Sequence, residues 1–410
     1  MSFQQKKCLG CRELLPEPFL DFGTQPLANA LVRPEEAYIR EARFPLAVAC
    51  CRACHLVQLT DVVSPERMFT EYVYFSSYSD SFLAHAREMV ESLTTRFALG
   101  PESRVLEVAS NDGYLLQYFQ QRHIQVLGVE PARNVAAEAE RRGIPTLHCF
   151  FGHEAVEKIV SGFGQVDLII GNNVLAHVPT INEFLHAIKL CLKPTGSVVF
   201  EFPYLKDILD RTEFDTVYHE HVFYYSLSAV EKLASRAGLQ LFDVMYRPVH
   251  GGSLRVFLQQ QGTHPVTGNV AECLRAEEAS GLTSPGRYAS FSREVAAIKE
   301  ELRSLLYGLK TAGKRLAAYG APAKGNALLN YCEIETELLE FTVDRSPHKQ
   351  GLFTPGGRLP IRAPEALLKE MPDYTVILPW NLAEEIVSQQ QEYTRKGGQF
   401  IVPIPKPRVL

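Results

Sequence analysis

The chain has 410 residues, of which 46% are hydrophobic and 22% charged, and this length predicts two or three domains rather than one core. The formal net charge of −5 predicts no basic face for a nucleic-acid backbone, and no apolar run approaches the ~18 residues that span a bilayer. The N-terminal segment MSFQQKKCLGC lacks the apolar stretch of a secretory signal, so we expect a cytoplasmic protein with neither nucleic-acid nor membrane partners. There the nine cysteines stay reduced, which favours metal ligands or core residues over disulfides. No pattern in the sequence predicts an oligomeric state.

The predicted first domain, residues 1–75, holds two CxxC pairs about forty residues apart, made of Cys8, Cys11, Cys51 and Cys54. Two such pairs place four thiolates at the corners of a tetrahedron, which is typical of structural zinc with no open position for a substrate. Four ordinary buried thiols would be the alternative. Cys50 and His55 lie beside the second pair and could compete as ligands, but the two-residue spacing favours Cys51.

The predicted second domain, residues 76–265, begins with SDSFLAHAREMVESLTTRF, whose apolar residues have helical spacing. After it, four apolar runs of β type alternate with helical stretches: SRVLEV, IQVLGVE, VDLIIG and SVVFEF. This alternation predicts a parallel, doubly wound α/β sheet.

The stretch RVLEVASNDGYLL, residues 104–116, has the pattern of a strand, a turn of small residues and the start of a helix. Such a turn presents backbone N–H groups to a ligand at the carboxyl end of the strand. Ala109 and Asn111 stand where a dinucleotide-binding motif has glycines, only Gly113 remains, and Glu107 adds negative charge. This composition suits a ligand with a sulfonium and an ammonium group better than one with a pyrophosphate.

The next two strands end in polar residues as well. VLGVEP ends in Glu130, which is placed to accept hydrogen bonds from two ribose hydroxyls, although an acid that caps the core would be the ordinary explanation. GNNVLAHV, residues 171–178, closes the third strand where the methionine part of a cofactor would lie. In this order, the pieces predict a class I (Rossmann-like) methyltransferase core that binds S-adenosylmethionine. The predicted cofactor residues are Glu107, Ala109, Asn111, Gly113, Glu130, Asn172 and Asn173.

The predicted third domain, residues 266–410, begins with a long helical stretch, after which RLAAYG, EFTVD, YTVILP and QFIVPIP resume the α/β alternation. AAYGAPAKGNALLN is again a strand, a small-residue turn and a helix, and here the turn carries Lys324 and no acid. A lysine at a helix N-terminus favours an anionic ligand. Asp344, Trp380 and Asn381 lie at equivalent strand tips, and a purely structural copy of the core would explain them nearly as well.

The segment TVYHEHVFYYS, residues 216–226, places two histidines around a glutamate within an aromatic run. A zinc site or a buried polar cluster would be the ordinary explanation. Adjacent residues of a strand or loop point in different directions, so one metal ion cannot easily bind all three side chains.

The paired CxxC motifs, the class I core, YHEHVFYYS, PVHGGSLRV and YGAPAKGN together resemble the sugar C-methyltransferase family of deoxysugar biosynthesis, over essentially the whole chain. The resemblance implies methylation of a carbon next to the ketone of a nucleotide-linked keto-deoxysugar. It implies thymidine diphosphate as the nucleotide and leaves open which ring carbon accepts the methyl group.

The family's Y-x-E-H motif falls on Tyr218, Glu220 and His221. Carbon methylation needs a base for the α-proton of the ketone and a donor or positive field for the enolate oxygen. The resemblance implies that His221 is the base, that Glu220 orients its ring or binds a sugar hydroxyl, and that Tyr218 positions the sugar or donates to the oxyanion. His219 occupies the variable position of the motif and is expected to be a flanking residue.

Further substrate contacts follow from the same resemblance. Tyr74, in EYVYFSSYSDS, would line the sugar pocket, although an aromatic linker packed on the next helix has the same pattern. His250 and Gly251 would lie near the substrate, although PVHGGSLRV could be a simple hairpin, and Lys324 would bind the diphosphate. The substrate site is predicted at His250, Gly251, Tyr319, Lys324, Asn326, Asp344, Trp380 and Asn381.

Two other functions fit parts of the pattern. An O- or N-methyltransferase of another small metabolite would use the same cofactor without needing His221 as a base. A zinc-ribbon protein whose α/β core binds nucleotides in a regulatory role would transfer no methyl group at all. The sugar C-methyltransferase is the hypothesis that uses all the motifs.

Overall fold

The computed structural model describes residues 2–69, 76–78, 80–249, 251–260 and 262–410 and arranges their strands in four sheets. Tyr74 and His250, two residues predicted for the substrate site, lie outside the described residues.

The N-terminal residues form a two-stranded and a four-stranded antiparallel sheet. Their elements are β1 (Ser2–Gln4), β2 (Leu20–Pro26), β3 (Arg43–Cys50), β4 (Val57–Leu59), β5 (Asp61–Val63) and α1 (Pro65–Phe69). Strand β1 pairs with β5, and β2, β3 and β4 pair in sequence. The fourth strand of the larger sheet comes from Phe223–Tyr224, far along the chain, and pairs with β4.

The predicted doubly wound sheet is confirmed in the middle of the chain. Its elements are α2 (Asp80–Arg96), β6 (Arg104–Val108), α3 (Leu116–Gln120), β7 (Gln125–Val129), α4 (Arg133–Arg141), β8 (Thr146–Leu147), α5 (His153–Gly162), β9 (Val166–Asn172), α6 (Ile181–Cys191), β10 (Leu192–Pro203), α7 (Leu205–Asp210), β11 (Phe223–Tyr224), α8 (Leu227–Arg236), β12 (Leu239–Arg247) and β13 (Ser253–Gln260).

The seven-stranded sheet has the order β12-β13-β10-β9-β6-β7-β8. The strands from β10 to β8 in this order are parallel, and β13 and β12 add an antiparallel hairpin at one edge. The parallel strands are almost continuously buried because helices cover both faces. The carboxyl ends of β6, β7, β9 and β10 therefore meet at one edge, where α/β sheets bind ligands.

The C-terminal residues form a smaller α/β layer. Its elements are α9 (Gly268–Ala279), α10 (Pro285–Thr311), β14 (Leu316–Tyr319), α11 (Ala323–Tyr331), β15 (Thr342–Val343), β16 (Ile361–Arg362), α12 (Ala366–Glu370), β17 (Tyr374–Ile377), α13 (Ala383–Gln389), α14 (Gln391–Arg395), β18 (Gln399–Val402) and β19 (Arg408–Val409). The sheet order is β16-β15-β14-β17-β18-β19, parallel except for β19.

The long helical stretch of the sequence is thus two helices, α9 and α10. Helix α10 buries apolar residues three or four apart against a core that also includes residues of β2, β3 and β14. This core joins the N-terminal sheet to the C-terminal layer. Among the helices in the described ranges, none combines the length and apolarity needed to cross a membrane.

Candidate functional site

The four cysteine sulfurs of the CxxC pairs converge on one point. The Sγ atoms of Cys8 and Cys54 are 3.5 Å apart, those of Cys11 and Cys51 are 3.4 Å apart, and all four lie within 4.8 Å of one another. Zinc–sulfur bonds of about 2.3 Å would place tetrahedral sulfurs roughly 3.8 Å apart, so the four thiols fit a zinc ion. Cys50 is excluded from the cluster because its Sγ faces backbone carbonyls.

The first CxxC loop is packed onto the methyltransferase core. The side-chain amide of Asn182, on α6, donates to the carbonyls of Leu9 (2.9 Å) and Gly10 (3.1 Å). A Cβ atom at Gly10 would lie 2.8 Å from the side chain of Leu233, on α8. The cysteine cluster therefore anchors the N-terminal residues to the core.

The turn after β6 has the backbone of a ligand-binding loop. Ala109 and Asn111 adopt positive φ angles of 57° and 49°, a region that non-glycine residues seldom enter. Gly113 has a φ of 77°, and a Cβ atom there would lie 2.8 Å from Ile144. These conformations hold the backbone N–H groups of the turn at the carboxyl end of β6.

Two residues next to this turn, Glu107 and Asn172, have buried acceptor oxygens with few hydrogen-bond partners. Within the described parts of the chain, the carboxyl group of Glu107 has at most the Tyr114 hydroxyl as a partner, and Oδ1 of Asn172 has none. Burial raises the pKa of Glu107 well above its usual value, and the nearby Tyr114 hydroxyl only partly offsets this. A cationic ammonium group would supply donors to such acceptors, so the site fits S-adenosylmethionine.

The predicted ribose-binding acid also organises the turn. Oε2 of Glu130 accepts from the backbone N–H of Asn111 at 2.9 Å, and Oε1 accepts from that of Ala132 at 2.9 Å. Each carboxylate oxygen can accept a further hydrogen bond. Asn173 has a positive φ of 54°, and its N–H donates to the carbonyl of Glu201 at 2.7 Å. Contact of Glu130 with ribose stays a prediction.

A short 3₁₀ helix, Ser76–Tyr78, lies against the turn after β6, residues 109–113, which is the predicted cofactor turn. The N–H of Ser76 donates to Oδ1 of Asn111 at 2.9 Å, and Ser77 donates to Oδ2 of Asp112 through its N–H and its hydroxyl. The segment EYVYFSSYSDS therefore contacts the turn after β6 through its described residues.

His221 has a fixed ring orientation in the loop before β11. Its Nδ1–H donates to the carbonyl of Thr216 at 2.9 Å, since a carbonyl only accepts, which leaves Nε2 to accept from the Tyr218 hydroxyl at 2.8 Å. Burial lowers the pKa of His221 well below its usual value, and nearby His177 and Lys324 lower it further. The imidazole is therefore neutral at pH 7 and carries its lone pair on Nε2.

The other two side chains of His-Glu-His point elsewhere. Nε2 of His219 faces the carbonyls of Phe44 and Pro45, 3.3 and 3.2 Å away. Oε1 of Glu220 accepts from the side-chain amide of Asn29, in the N-terminal domain, at 2.7 Å. As expected from the sequence, the three do not form one metal site.

His177 is a residue of this site that the sequence reasoning did not single out. It lies in a 3₁₀ helix, Leu175–His177, and its ring centroid is 5.0 Å from that of His221. Its Nδ1 is 2.8 Å from the carbonyl of Glu220, and burial lowers the pKa of His177 to about 4. In the sequence, His177 could have been identified only as a polar residue that follows strand β9, within GNNVLAHV.

Two predicted substrate residues of the C-terminal domain, Lys324 and Trp380, lie next to residues 213–216, just before the motif that contains His221. Nε1 of Trp380 donates to Oδ2 of Asp215 at 2.7 Å, and Nζ of Lys324 lies 4.0 Å from Oε2 of Glu213. Gly251, just before β13, also lies beside this segment, since a Cβ atom at Gly251 would lie 2.5 Å from Glu213. The structure thus brings Gly251, Lys324 and Trp380 together.

The remaining predicted substrate residues lie further along the C-terminal layer. Asp344 accepts from the N–H groups of its own neighbouring loops, at Ala321 and Ser346 (both 2.8 Å). The Asn326 amide donates to the carbonyl of Ala28 at 2.8 Å and so joins two domains. Tyr319 is buried and Asn381 is exposed. Their contact with substrate stays a prediction.

Three family models match the chain in succession. The model described as "Putative zinc binding domain" matches residues 8–69, "Methyltransferase domain" matches residues 82–244, and "C-methyltransferase C-terminal domain" matches residues 248–405. The C-methyltransferase NovU of Streptomyces niveus is 38% identical over 404 residues, which cover 98% of this chain and 96% of NovU.

Solved structures resemble the chain in part. An S-adenosylmethionine-dependent methyltransferase from Clostridium acetobutylicum has a TM-score of 0.36 at 12% identity, covering 43% of this chain and 91% of that protein. Magnesium protoporphyrin IX methyltransferase from Synechocystis, solved with S-adenosylmethionine bound, has a TM-score of 0.33 at 13% identity, covering 46% and 86%. By the family models and the match to NovU, the chain belongs to the S-adenosylmethionine-dependent C-methyltransferase family, with a class I core between an N-terminal four-cysteine zinc-binding domain and a C-terminal α/β domain.

Proposed function

We propose that this C-methyltransferase methylates a carbon next to the ketone of a nucleotide-linked 4-keto-deoxysugar, carried on thymidine diphosphate. The observation that carries the proposal is the pair of Tyr218 and His221, an imidazole with its lone pair on Nε2 and a phenol hydrogen-bonded to it. A ketone needs such a base before its α-carbon can act as a nucleophile, whereas oxygen and nitrogen acceptors already carry a lone pair and need no enolate.

We infer the roles of the two residues from this geometry. When the Tyr218 hydroxyl turns from His221 to the substrate, Nε2 of His221 is free to take the α-proton. The carbonyl of Thr216 holds the opposite ring nitrogen, so the imidazole keeps its orientation as it gains the proton. When bound, S-adenosylmethionine supplies the electrophilic methyl group of its sulfonium. Glu220, held by Asn29, is proposed to bind a sugar hydroxyl.

The nucleotide is proposed to lie against the C-terminal domain. Tyr78, above the cofactor turn, stacks with His348 of the C-terminal domain at a ring-centroid distance of 6.1 Å, so the cofactor turn faces that domain. Asp344 and Trp380 follow β15 and β17, the two strands that flank β14 in its sheet. We propose that the zinc is structural, since four sulfurs complete its tetrahedron and leave no position for a substrate.

The first prediction concerns His221. The protein is incubated in deuterated water with S-adenosylhomocysteine and a thymidine-diphospho-4-keto-6-deoxysugar, and the loss of the α-proton signal is followed by NMR. Because a positioned base is worth roughly 10²–10⁴-fold, we expect His221→Gln to slow exchange by about that factor. His219→Gln, in the same loop, is the matched control and should exchange at nearly the wild-type rate.

Cofactor binding separates loss of the base from loss of the fold. Titration with S-adenosylhomocysteine should give the same affinity for His221→Gln as for the wild type. Undiminished exchange by His221→Gln would remove His221 from the reaction. No exchange by the wild-type protein on keto-sugar nucleotides that differ in the position of the ketone would overturn the proposed function.

A further inference from the structure

Lys324 lies at a junction of the C-terminal domain with the loop that holds His221. It is in the first turn of α11, with a side chain that is 21% exposed, and its Nζ is 4.0 Å from Oε2 of Glu213 and 5.8 Å from the ring centroid of Trp380. Trp380 in turn donates to Asp215 at 2.7 Å. Lys324 is therefore surrounded by two acids and an aromatic ring, unlike a lysine that extends into solvent.

Both acids are buried and incompletely bonded. Glu213 is 2% exposed and Asp215 is fully buried, and one oxygen of each, Oε1 and Oδ1, has no hydrogen-bond partner within the described ranges. Burial raises the pKa of Glu213 to about 8 and also raises that of Asp215, and the charge of Lys324 partly offsets both shifts. The cluster thus combines one cation with carboxyl groups that resist ionisation.

The cluster is connected to His221 through one residue. Thr216 follows Asp215 in the 3₁₀ helix Phe214–Thr216, and its carbonyl accepts from Nδ1 of His221. Helix α11 packs directly against that 3₁₀ helix. The charge of Lys324 is one of the causes that lower the pKa of His221, which requires the two groups to be within electrostatic reach.

These surroundings argue against a diphosphate at Lys324. A diphosphate carries at least two negative charges, and in this low-dielectric site the single ammonium group of Lys324 would leave at least one of them uncompensated. A ketone is neutral when it binds and gains charge on its oxygen only as the α-proton leaves. The cluster therefore suits a carbonyl group better than a phosphate.

We propose that Lys324 is a catalytic residue of the enolate step, whose ammonium donates a hydrogen bond to the ketone oxygen of the sugar. This inference rests on the proposed function. His221 takes the α-proton at Nε2, the C–H electron pair becomes the carbon–carbon double bond, and the carbonyl π pair moves to the oxygen beside Lys324. The ammonium keeps its proton, and the enolate oxygen would regain its double bond when bound S-adenosylmethionine supplied the methyl group, with the electron pair of the broken sulfur–methyl bond going to sulfur. Glu213, Asp215 and Trp380 act as positioning residues for Lys324.

The test separates carbonyl stabilisation from diphosphate binding. Lys324→Met and Lys324→Arg are compared with Lys369→Met, an exposed lysine of the same domain. Exchange of the α-proton is measured at saturating keto-sugar nucleotide, and the Kd of thymidine diphosphate alone is measured by calorimetry. Loss of one oxyanion donor costs roughly 10²–10³-fold in rate. We therefore expect Lys324→Met to slow α-proton exchange by about that factor while the Kd of thymidine diphosphate stays nearly unchanged.

Each other outcome has a defined meaning. Lys324→Arg should recover part of the exchange rate, because it restores the charge with a different shape. A Kd that rises tenfold or more while exchange at saturation stays at the wild-type rate would assign Lys324 to the diphosphate and overturn the inference. Unchanged exchange and unchanged Kd would overturn it as well. Absence of exchange in the wild-type protein would instead overturn the proposed function itself, and the inference with it.

Discussion

Individual side chains around His221 are held in protonation states that differ from those in water. His221 and His177 stay neutral because burial disfavours their cationic forms, whereas Glu213 keeps its proton because burial disfavours its carboxylate. These shifts have the same physical cause and opposite consequences. The neutral imidazole of His221 can accept a proton, and an uncharged Glu213 does not compete for the charge of Lys324, so both states are consistent with the proton transfer that we propose.

Burial of Glu213 also makes the stability of the folded protein depend on pH. Its folded pKa of about 8 exceeds the unfolded value of about 4.3, so the folded state binds the extra proton between these values. The stability from this group is therefore complete below the unfolded pKa and is lost as the pH rises towards 8. We expect Glu213→Gln, which needs no proton, to raise Tm relative to the wild type by more at pH 9 than at pH 6.

Scanning calorimetry at the two pH values measures the effect. Because 1 kcal/mol corresponds to roughly 2–4 °C in a domain of about 200 residues, we expect a relative gain of several degrees. Glu301→Gln, exposed on α10, is the control and should show the same difference from wild type at both pH values. An equal difference for Glu213→Gln would mean that Glu213 ionises freely in the folded protein.

Element by element, the strands of the core were predictable from sequence because buried parallel strands are short, apolar runs that end in polar tips. The pairing of β11 with β4 was not, since nothing local in FYY specifies a partner strand about 165 residues away. The contact of Asn29 with Glu220 was missed for the same reason. Motifs identified candidate residues in all three domains, but the contacts between domains, such as that of Asn29 with Glu220, required the structure.

Helix α2 is attached to the sheet by a buried ionic group that the sequence did not indicate. Glu201, on β10, accepts from Arg255 Nε at 2.8 Å and from His85, on α2, at 2.6 Å. Burial alone would raise the pKa of Glu201, but His85 and Arg255 outweigh it and lower that pKa. Arg255 is fully buried, so removing Glu201 would leave the charge of Arg255 uncompensated, and removing Arg255 would leave Glu201 with His85 alone.

We therefore expect Arg255→Met to lower the free energy of unfolding by roughly 3–5 kcal/mol, because Glu201 would keep its charge in the core. Adding Glu201→Leu should recover much of that loss, since the buried charge is then removed. Urea denaturation measures both variants, with Lys396→Met, in an exposed ion pair, as the near-neutral control. A double variant no more stable than Arg255→Met would show that packing, and not charge, dominates this site.

The molecule as a whole connects its four-cysteine cluster to the proposed reaction centre at His221. The first CxxC loop of the cluster packs on α6 and α8. The four-stranded sheet of the same domain includes β11, which begins two residues after His221. Asn29 adds a direct contact with Glu220 from the same domain. We therefore infer that a zinc ion at the four cysteines would act on the proposed reaction centre through this loop, without contacting the substrate.

The final prediction is that loss of zinc loosens this loop. Structural zinc contributes about 10 kcal/mol or more to folding of small domains, so its removal should unfold the cluster and free β4 from β11. We expect Cys51→Ser to lose zinc and to increase amide hydrogen exchange at residues 218–224 by at least roughly tenfold. Cys50→Ser, one residue away but outside the cluster, should keep both its zinc and its exchange pattern. Mass spectrometry of deuterium uptake, with zinc content measured in parallel, makes the comparison. If Cys51→Ser lost its zinc while residues 218–224 kept wild-type protection, the cluster would be an independent module. In that case, the contacts of Asn29 and β4 with the loop would not depend on the metal.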